Sequence, residues 1–387
     1  MSRNDDRSPR ALKLPSGSGL LLFNRASNRL FAFNESAARL WESIELGSDV
    51  DEIASDFVAK YGISVDVARR DIDTMMDHWR SLDLLCSDDF ASSPPPIQLD
   101  EVADWPQAPH SVFQDHAVYT VSDKVFSLAS ETHSPATIRR FFHHLETPKA
   151  EPGLRLEVRQ AGDGSSALLV NGREHFRTGD EAQLIGGISL AVLDYLHPGT
   201  EWLAMMHGGA VTRNGLGLLF PATSGSGKTT LVAYLMAQEG FTYLADDLIV
   251  LSRPSGHVVP WPMPLSIKQG SWTLLSQLHP GLQDAPAYHA ARGAAKLLVA
   301  PTSSWETAPA PAHAIVFPQY APGAVVSLTR ITPFEAIERL LNDRIWLGYP
   351  MTEQRILAFL AWIDVTPAYT LLHGNLADAA RCLEDLP

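Results

Sequence analysis

Gly215-Leu216-Gly217-Leu218-Leu219-Phe220 followed by Pro221-Ala222-Thr223-Ser224-Gly225-Ser226-Gly227-Lys228-Thr229-Thr230 carries the strongest pattern in this chain. An apolar run of strand character enters a loop of small residues. That loop opens a helix predicted over 229–239, which Gly240 ends. The pattern G-x-x-x-x-G-K-[ST] in this context describes a loop whose backbone amides cradle phosphate oxygens. Gly225 and Gly227 let the backbone curl so that successive N–H groups point inward, and the helix start adds its positive end. Lys228 is expected to reach the β- and γ-phosphates of ATP and the Thr229 hydroxyl to ligate Mg²⁺. The predicted phosphate-binding set is Ser224, Gly225, Ser226, Gly227, Lys228, Thr229 and Thr230. One letter departs: Ala222 replaces the first glycine, at a cost of roughly 1 kcal/mol or more if that position needs positive φ. A small-residue turn that binds nothing is the plain alternative, but Gly-Lys-Thr at a helix start has no packing rationale.

Downstream, Asp246-Asp247 closes the strand predicted over 241–245. A carboxylate at the end of a strand neighbouring such a loop holds the metal and its waters. Two adjacent ones allow a division of labour between metal ligand and base, and burying both unpaired would be costly. Upstream, His207-Gly208 precedes the strands that lead to the loop, where an imidazole could bond phosphate or carboxylate. His143-His144 reads as helix surface.

The 387 residues are too many for one ordinary core. With 45% hydrophobic and 19% charged residues the composition is globular. A formal charge of -14 argues against a nucleic-acid partner held through its phosphates. Two distant cysteines, Cys86 and Cys382, fit a reducing compartment. The polar N-terminus and the short, Asp194-interrupted apolar stretch 184–196 predict neither signal peptide nor membrane span, hence a cytoplasmic protein. A homo-oligomer is compatible with all of this.

Texture divides the chain into 1–86, a proline-rich linker 87–109 and a segment 110–387 that alternates strand and helix signals. In the first part, Leu20-Leu21-Leu22-Phe23 and Leu30-Phe31-Ala32-Phe33 read as a hairpin. Asn34 and Asp49 begin two helices, which Gly47 and Gly62 close. Val65, Ile72, Met75, Met76, Trp79 and Leu82 mark a third helix. Such a module, with an open sheet edge beside a Met- and Trp-bearing helix, can accept an extended apolar segment as an added strand.

His207-Gly208, the strand to Phe220, Ser224 to Thr229 and Ala245-Asp246-Asp247, in that order and at that spacing, resemble the HPr kinase-like family, whose core is shared with P-loop carboxykinases. The resemblance spans about 112 to the C-terminus and is specific over 207–251. It implies an α/β P-loop catalytic domain that phosphorylates a Ser or Thr hydroxyl with ATP and Mg²⁺. Its site would comprise Asp246 as base, Asp247 with Thr229 on the metal, Lys228 on the phosphates and His207 beside the transferred group. The glycine-rich signature of bifunctional HPr kinase/phosphorylases is not recognisable beyond the aspartates, which argues against phosphorolysis and against HPr as acceptor. In its place stands Pro262-Met263-Pro264-Leu265-Ser266-Ile267-Lys268, as in HPr-kinase-related proteins of biosynthetic clusters, with Lys268 a candidate for phosphate or substrate.

The N-terminal part is similar to the PqqD-like peptide-recognition domain, through Leu30 to Ala37, Trp41 and Leu82-Asp83-Leu84-Leu85. That likeness implies a small winged-helix-like α+β fold over 1–86 binding the leader of a ribosomally made precursor peptide through residues within 12–85. The combined expectation is a leader-guided kinase. A small-molecule kinase and a non-catalytic, nucleotide-gated peptide scaffold are the alternatives, and the retained Asp246-Asp247 pair disfavours the scaffold.

Overall fold

The computed structural model describes residues 11–14, 19–24, 27–82, 84–85, 113–131, 139, 141–147, 150–223, 225–290, 293–343, 345–348 and 351–386. The polar N-terminus 1–10, Cys86, the linker 87–109 and Ser224 lie outside the described residues.

The chain opens with an antiparallel sheet in the order β1 (Ala11–Leu14), β2 (Leu20–Asn24), β3 (Arg29–Phe33). The sequence pattern predicted the β2–β3 hairpin but not β1. Three helices follow: α1 (Glu35–Glu45), α2 (Val50–Tyr61) and α3 (Val65–Ser81). Their boundaries are local chemistry. The Asn34 side chain accepts from the Ala37 amide, Asp49 and Glu52 form a reciprocal capping box, and Gly62 closes α2 in the left-handed region at φ 67°.

Period-two alternation in the sheet serves two cores at once. Leu20, Leu22 and Phe33 face the helices, in a cluster where Trp79 stacks on Phe33 at 4.7 Å and meets Trp41 edge-on at 5.4 Å. Leu21, Phe23 and Leu30 point the other way, into the core of the larger unit beside Phe334 and Ile337. The Met351 amide also donates to the Asn28 side chain across this joint at 2.7 Å. The first module is therefore seated on the second through a shared apolar face.

The larger unit begins with a five-stranded sheet, β4 (Asp115–Val121), β5 (Lys124–Ser130), β6 (Leu154–Gln160), β7 (Ser166–Val170) and β8 (Arg173–Thr178), adjacent in that order. The Asn171-Gly172 turn takes positive φ at both residues, as a tight two-residue hairpin requires. Helix α4 (Glu181–Leu196) packs on this sheet and leads into β9 (Glu201–Met206), β10 (Gly208–Arg213) and β11 (Leu216–Pro221). After α5 (Lys228–Leu235) come β12 (Phe241–Ala245), β13 (Ile249–Arg253), β14 (His257–Val259) and β15 (Leu265–Lys268). The short helices α6 (Trp272–Ser276) and α7 (Gly281–Asp284) precede β16 (Ala287–Ala290), β17 (Gly293–Leu298), β18 (Ala310–Tyr320) and β19 (Ser327–Ile331). The chain continues through α8 (Pro333–Leu341), β20 (Ile345–Trp346), α9 (Glu353–Val365), β21 (Ala368–His373) and α10 (Leu376–Glu384).

A large mixed sheet runs β12-β10-β11-β18-β14-β13-β9-β20, with β21 beside β18 and β19 outside it, and β15-β17-β16 form a small third sheet. The fold is mixed α/β. Helix α5 ends at Leu235, before the predicted 239, because residues after it tighten into i→i+3 turns, Ala237 to Tyr234 and Gln238 to Leu235. His143 is surface as read, but His144 is not. Its Nε2 bonds the Pro262 carbonyl at 3.0 Å and its ring meets Trp305 edge-on.

The aromatic cluster of the first module yields a stability prediction. Trp79→Ala removes the ring that packs on both Phe33 and Trp41 and should cost about 3–5 kcal/mol, read as a lowered urea midpoint; an unchanged midpoint would show that the cluster does not hold the module together.

Candidate functional site

Register brings the site residues to one end of the large sheet. In the antiparallel ladder of β10 with β11, Gly208 lies opposite Pro221, and in that of β10 with β12, Ala210 lies opposite Ala245. The turn after β11 and the aspartates after β12 therefore emerge together on either side of the start of β10. Close approach demands glycine there: a Cβ on Gly209 would lie 2.9 Å from the Asp246 Oδ1 and 2.7 Å from Val232.

The turn has the conformation its glycines predict. Gly225 and Gly227 hold φ of 104° and 93°, and Gly227 is the left-handed residue from which α5 starts. Ala222 is not among the residues with positive φ, so its Cβ carries no strain penalty. The Ser226 hydroxyl is buried with no hydrogen-bond partner, an orphan that an anion in the turn would satisfy. Lys228 is buried at the first position of α5. Burial pulls its ammonium pKa down, while Asp246, Asp247 and Asp343 push it up.

The Thr229 hydroxyl donates to Asp246 Oδ1 at 3.3 Å. Asp246 is only 2% exposed, and burial, then the charge of Asp247, raises its carboxyl to about 7. Asp247 turns outward at φ 67°, its side chain 61% exposed, and lies 3.4 Å from His207 Nε2. The other ring nitrogen of His207 meets Asp343 at 3.1 Å, so the imidazole is held between two carboxylates. The sequence-level roles put Thr229 with Asp247 on the metal and gave Asp246 to the base; the geometry instead pairs Thr229 with Asp246 and leaves Asp247 facing outward beside His207. Thr230 is engaged elsewhere, its hydroxyl 2.7 Å from that of Ser271.

Asp343 belongs to the turn after α8 and was missed, because no motif links it to His207. Also missed was a cavity of about 630 Å³ on the flank of the turn, where Lys228, Thr229, Thr230 and Lys268 line it together with Tyr320 and His373. Among the described residues, no group of three or more His, Cys, Asp and Glu side chains is placed to hold a metal ion by itself. Thr229 with one carboxylate suits Mg²⁺, which keeps waters and takes most other ligands from phosphates.

Residues 19–85 match the family model described as Coenzyme PQQ synthesis protein D (PqqD). The chain carries a PqqD domain. This match covers β2, β3 and the three helices. No curated protein matches the chain. Among the described residues no helix is long and apolar enough to cross a membrane.

The Asp246 carboxyl sets a pH dependence for the metal-free protein. Its folded value of about 7 lies above its ordinary 3.8, so the folded state holds the proton more tightly. The resulting stabilisation is complete below about pH 4 and is lost as pH rises through about 7, a change of up to about 4 kcal/mol. Asp246→Asn should flatten the fall in melting temperature between about pH 4 and about pH 7; a variant that falls as steeply as the parent would remove this carboxyl as the cause.

Proposed function

We propose that the chain is an ATP- and Mg²⁺-dependent phosphotransferase that phosphorylates a Ser or Thr hydroxyl of a ribosomally made precursor peptide, with the PqqD domain holding the peptide's leader. The observation that carries the catalytic half is the meeting, at one sheet end, of a positive-φ glycine turn, buried Lys228, the Thr229–Asp246 contact and the His207–Asp247 pair. A glycine turn alone is a common connection; one that opens a helix on a buried lysine beside a buried carboxylate has little use apart from an anion with a cation.

The backbone amides of residues 225–229 and the ammonium of Lys228 would hold the phosphates, and the buried Ser226 hydroxyl would gain the partner it lacks. Thr229 and Asp246 would hold Mg²⁺, which supplies charge neutralisation to the β- and γ-phosphates. The acceptor hydroxyl oxygen bonds to the γ-phosphorus while the bond from that phosphorus to the β,γ-bridging oxygen breaks, releasing ADP. The hydroxyl proton passes to a carboxylate, and Asp247 fits this role better than Asp246. It is exposed toward an incoming group, whereas Asp246 lies behind the Thr229 hydroxyl, and reach precedes pKa in choosing a base. His207, anchored by Asp343, would position the Asp247 carboxylate beside the transferred group.

The PqqD match supports the peptide half. Among the described residues β3 pairs only with β2, so an extended segment could add as a strand along its other edge. Phe31, on β3, and Met75 and Met76, on α3, are partly buried against the helical core, apolar surface that a docked segment could cover. Mounting the leader site on the larger unit raises the local concentration of the acceptor segment, so the cleft need recognise little sequence.

Mass spectrometry of a peptide encoded beside the gene, after incubation with ATP and Mg²⁺, should show the gain of one phosphate; repeated absence of that gain counts against the reaction class. Lys228→Ala should abolish transfer. Asp247→Asn should keep ATP binding and lower kcat at least about 100-fold. Asp246→Asn should raise the Mg²⁺ concentration needed for half-maximal rate; the reverse pattern would return the two aspartates to their sequence-level roles. Met76→Glu should weaken binding of a fluorescent leader peptide about tenfold or more without altering ATP binding, and an unaltered leader affinity would move the docking site elsewhere. Removing the whole module is the poorer test, because its sheet buries part of the larger unit's core.

A further inference from the structure

The PqqD domain is seated on the larger unit at both ends of β3. Gly19 enters β2 so closely that a Cβ there would strike both the Phe334 ring and the Phe33 carbonyl. Leu21, Phe23 and Leu30 share one apolar core with Phe334, Ile337 and Leu340 of α8. At the far end of the hairpin Asn28, in the left-handed region at φ 53°, accepts from the Met351 amide. Units joined through small polar contacts move against each other by default. An apolar seat fastened at both ends of a strand holds them in one orientation.

Helix α8 carries that orientation to the aspartates. Its first turn, at Phe334, meets the Phe33 end of β3. Just past its last turn stands Asp343, whose amide donates to the Leu340 carbonyl at 3.3 Å. The Asp343 carboxylate lies 3.1 Å from His207, and His207 lies 3.4 Å from Asp247. Ile345 pairs opposite Met206, so the neighbours of Asp343 and His207 belong to one ladder. The nine residues of α8 rise about 14 Å. With the imidazole and its two contacts added, the edge of β3 stands on the order of 20–25 Å from Asp247. Extended chain covers that span in roughly six to eight residues.

We infer that the PqqD domain acts as a ruler: the acceptor Ser or Thr is chosen by its distance along the peptide from the segment docked on β3, with a minimum spacer of roughly six to eight residues. The inference rests on the proposed peptide kinase and adds a rule for which hydroxyl of the precursor is taken. A rigid mount and a flexible tether both raise local concentration, but their dependence on spacer length differs. On a rigid mount, a spacer too short for the span leaves the hydroxyl out of reach. One that matches the span gives the highest effective concentration, and longer ones lose it as about the −3/2 power of length. Position therefore selects the acceptor where the cleft itself reads little sequence.

The test uses the full chain with ATP and Mg²⁺, and synthetic versions of the peptide encoded beside the gene. Spacers of glycine and alanine place a single serine about 2 to about 24 residues beyond the leader. Initial rates by mass spectrometry should fall at least tenfold for spacers below about four residues and peak near about eight. Tripling the best spacer should cost about fivefold. A peptide with two serines, one at the matched spacing and one well beyond it, should carry its phosphate on the matched one. Phe334→Ala, which loosens the seat, should flatten the profile without altering leader affinity; if circular dichroism shows that this variant unfolds, the peptide series decides alone. Equal rates at every spacing overturn the ruler and leave the kinase standing, as does a folded Phe334 variant whose profile is as sharp as the parent's. Absence of phosphate from every peptide removes the kinase reading and the ruler with it.

Discussion

A lysine and an aspartate are taken out of water at the same end of one sheet. Lys228 and Asp246 are both buried, and among the described residues neither has a close ion pair: the carboxyl accepts from the Thr229 hydroxyl, and the ammonium feels its acidic neighbours through space. Desolvating opposite charges without direct pairing is unfavourable for a protein that only has to fold. The upward shift of Asp246 and the orphaned Ser226 hydroxyl are signs of the same imbalance. An anion seated in the turn and a cation beside it would correct all three.

The rest of the fold serves that end of the sheet. The tight start of β10, with glycine at 208 and 209, lets β11 and β12 deliver their loops side by side, since a side chain on Gly209 would collide with Asp246 itself. Apolar residues on both faces hold the strands in place: Val211, Phe220 and Tyr243 on one, Ala210, Leu219 and Leu244 on the other. Farther along, β18 is long enough to pair with β14, β11 and β21 in turn, and so carries Tyr320 from the sheet's middle to the mouth of the cavity. The PqqD domain shares in this construction, because one face of its sheet completes a core that reaches β9 and β13. Anything bound to that module would be held at a set distance from the aspartates, which a flexible tether would not do.

Much of this was legible locally. The caps at Asn34 and Asp49, the hairpin of β2 and β3, the turn at Asn171-Gly172 and the glycine-lysine-threonine helix start all rest on contacts within a few residues. Local backbone preferences and side-chain periods of two or 3.6 residues are written into consecutive letters. The strand β1 escaped notice because Ala11 to Leu14 is short and its partner, β2, is what makes it a strand. The bonded His144 depended on a partner, Pro262, that no window of sequence contains.

The order of residues along the chain was enough to place a glycine turn opening a helix on a lysine, a pair of acids after a strand, and an N-terminal module similar to PqqD. It could not say which acid faces inward. Asp246 and Asp247 are adjacent letters, and their opposite burial follows from a positive φ at Asp247 and from the space left by Gly209 on another strand. Nor could it join His207 to Asp343, 136 residues away, or bring the end of β18 to the end of β21 beside the turn. Those pairings arise from the order of strands in a sheet, a property of the whole chain's packing.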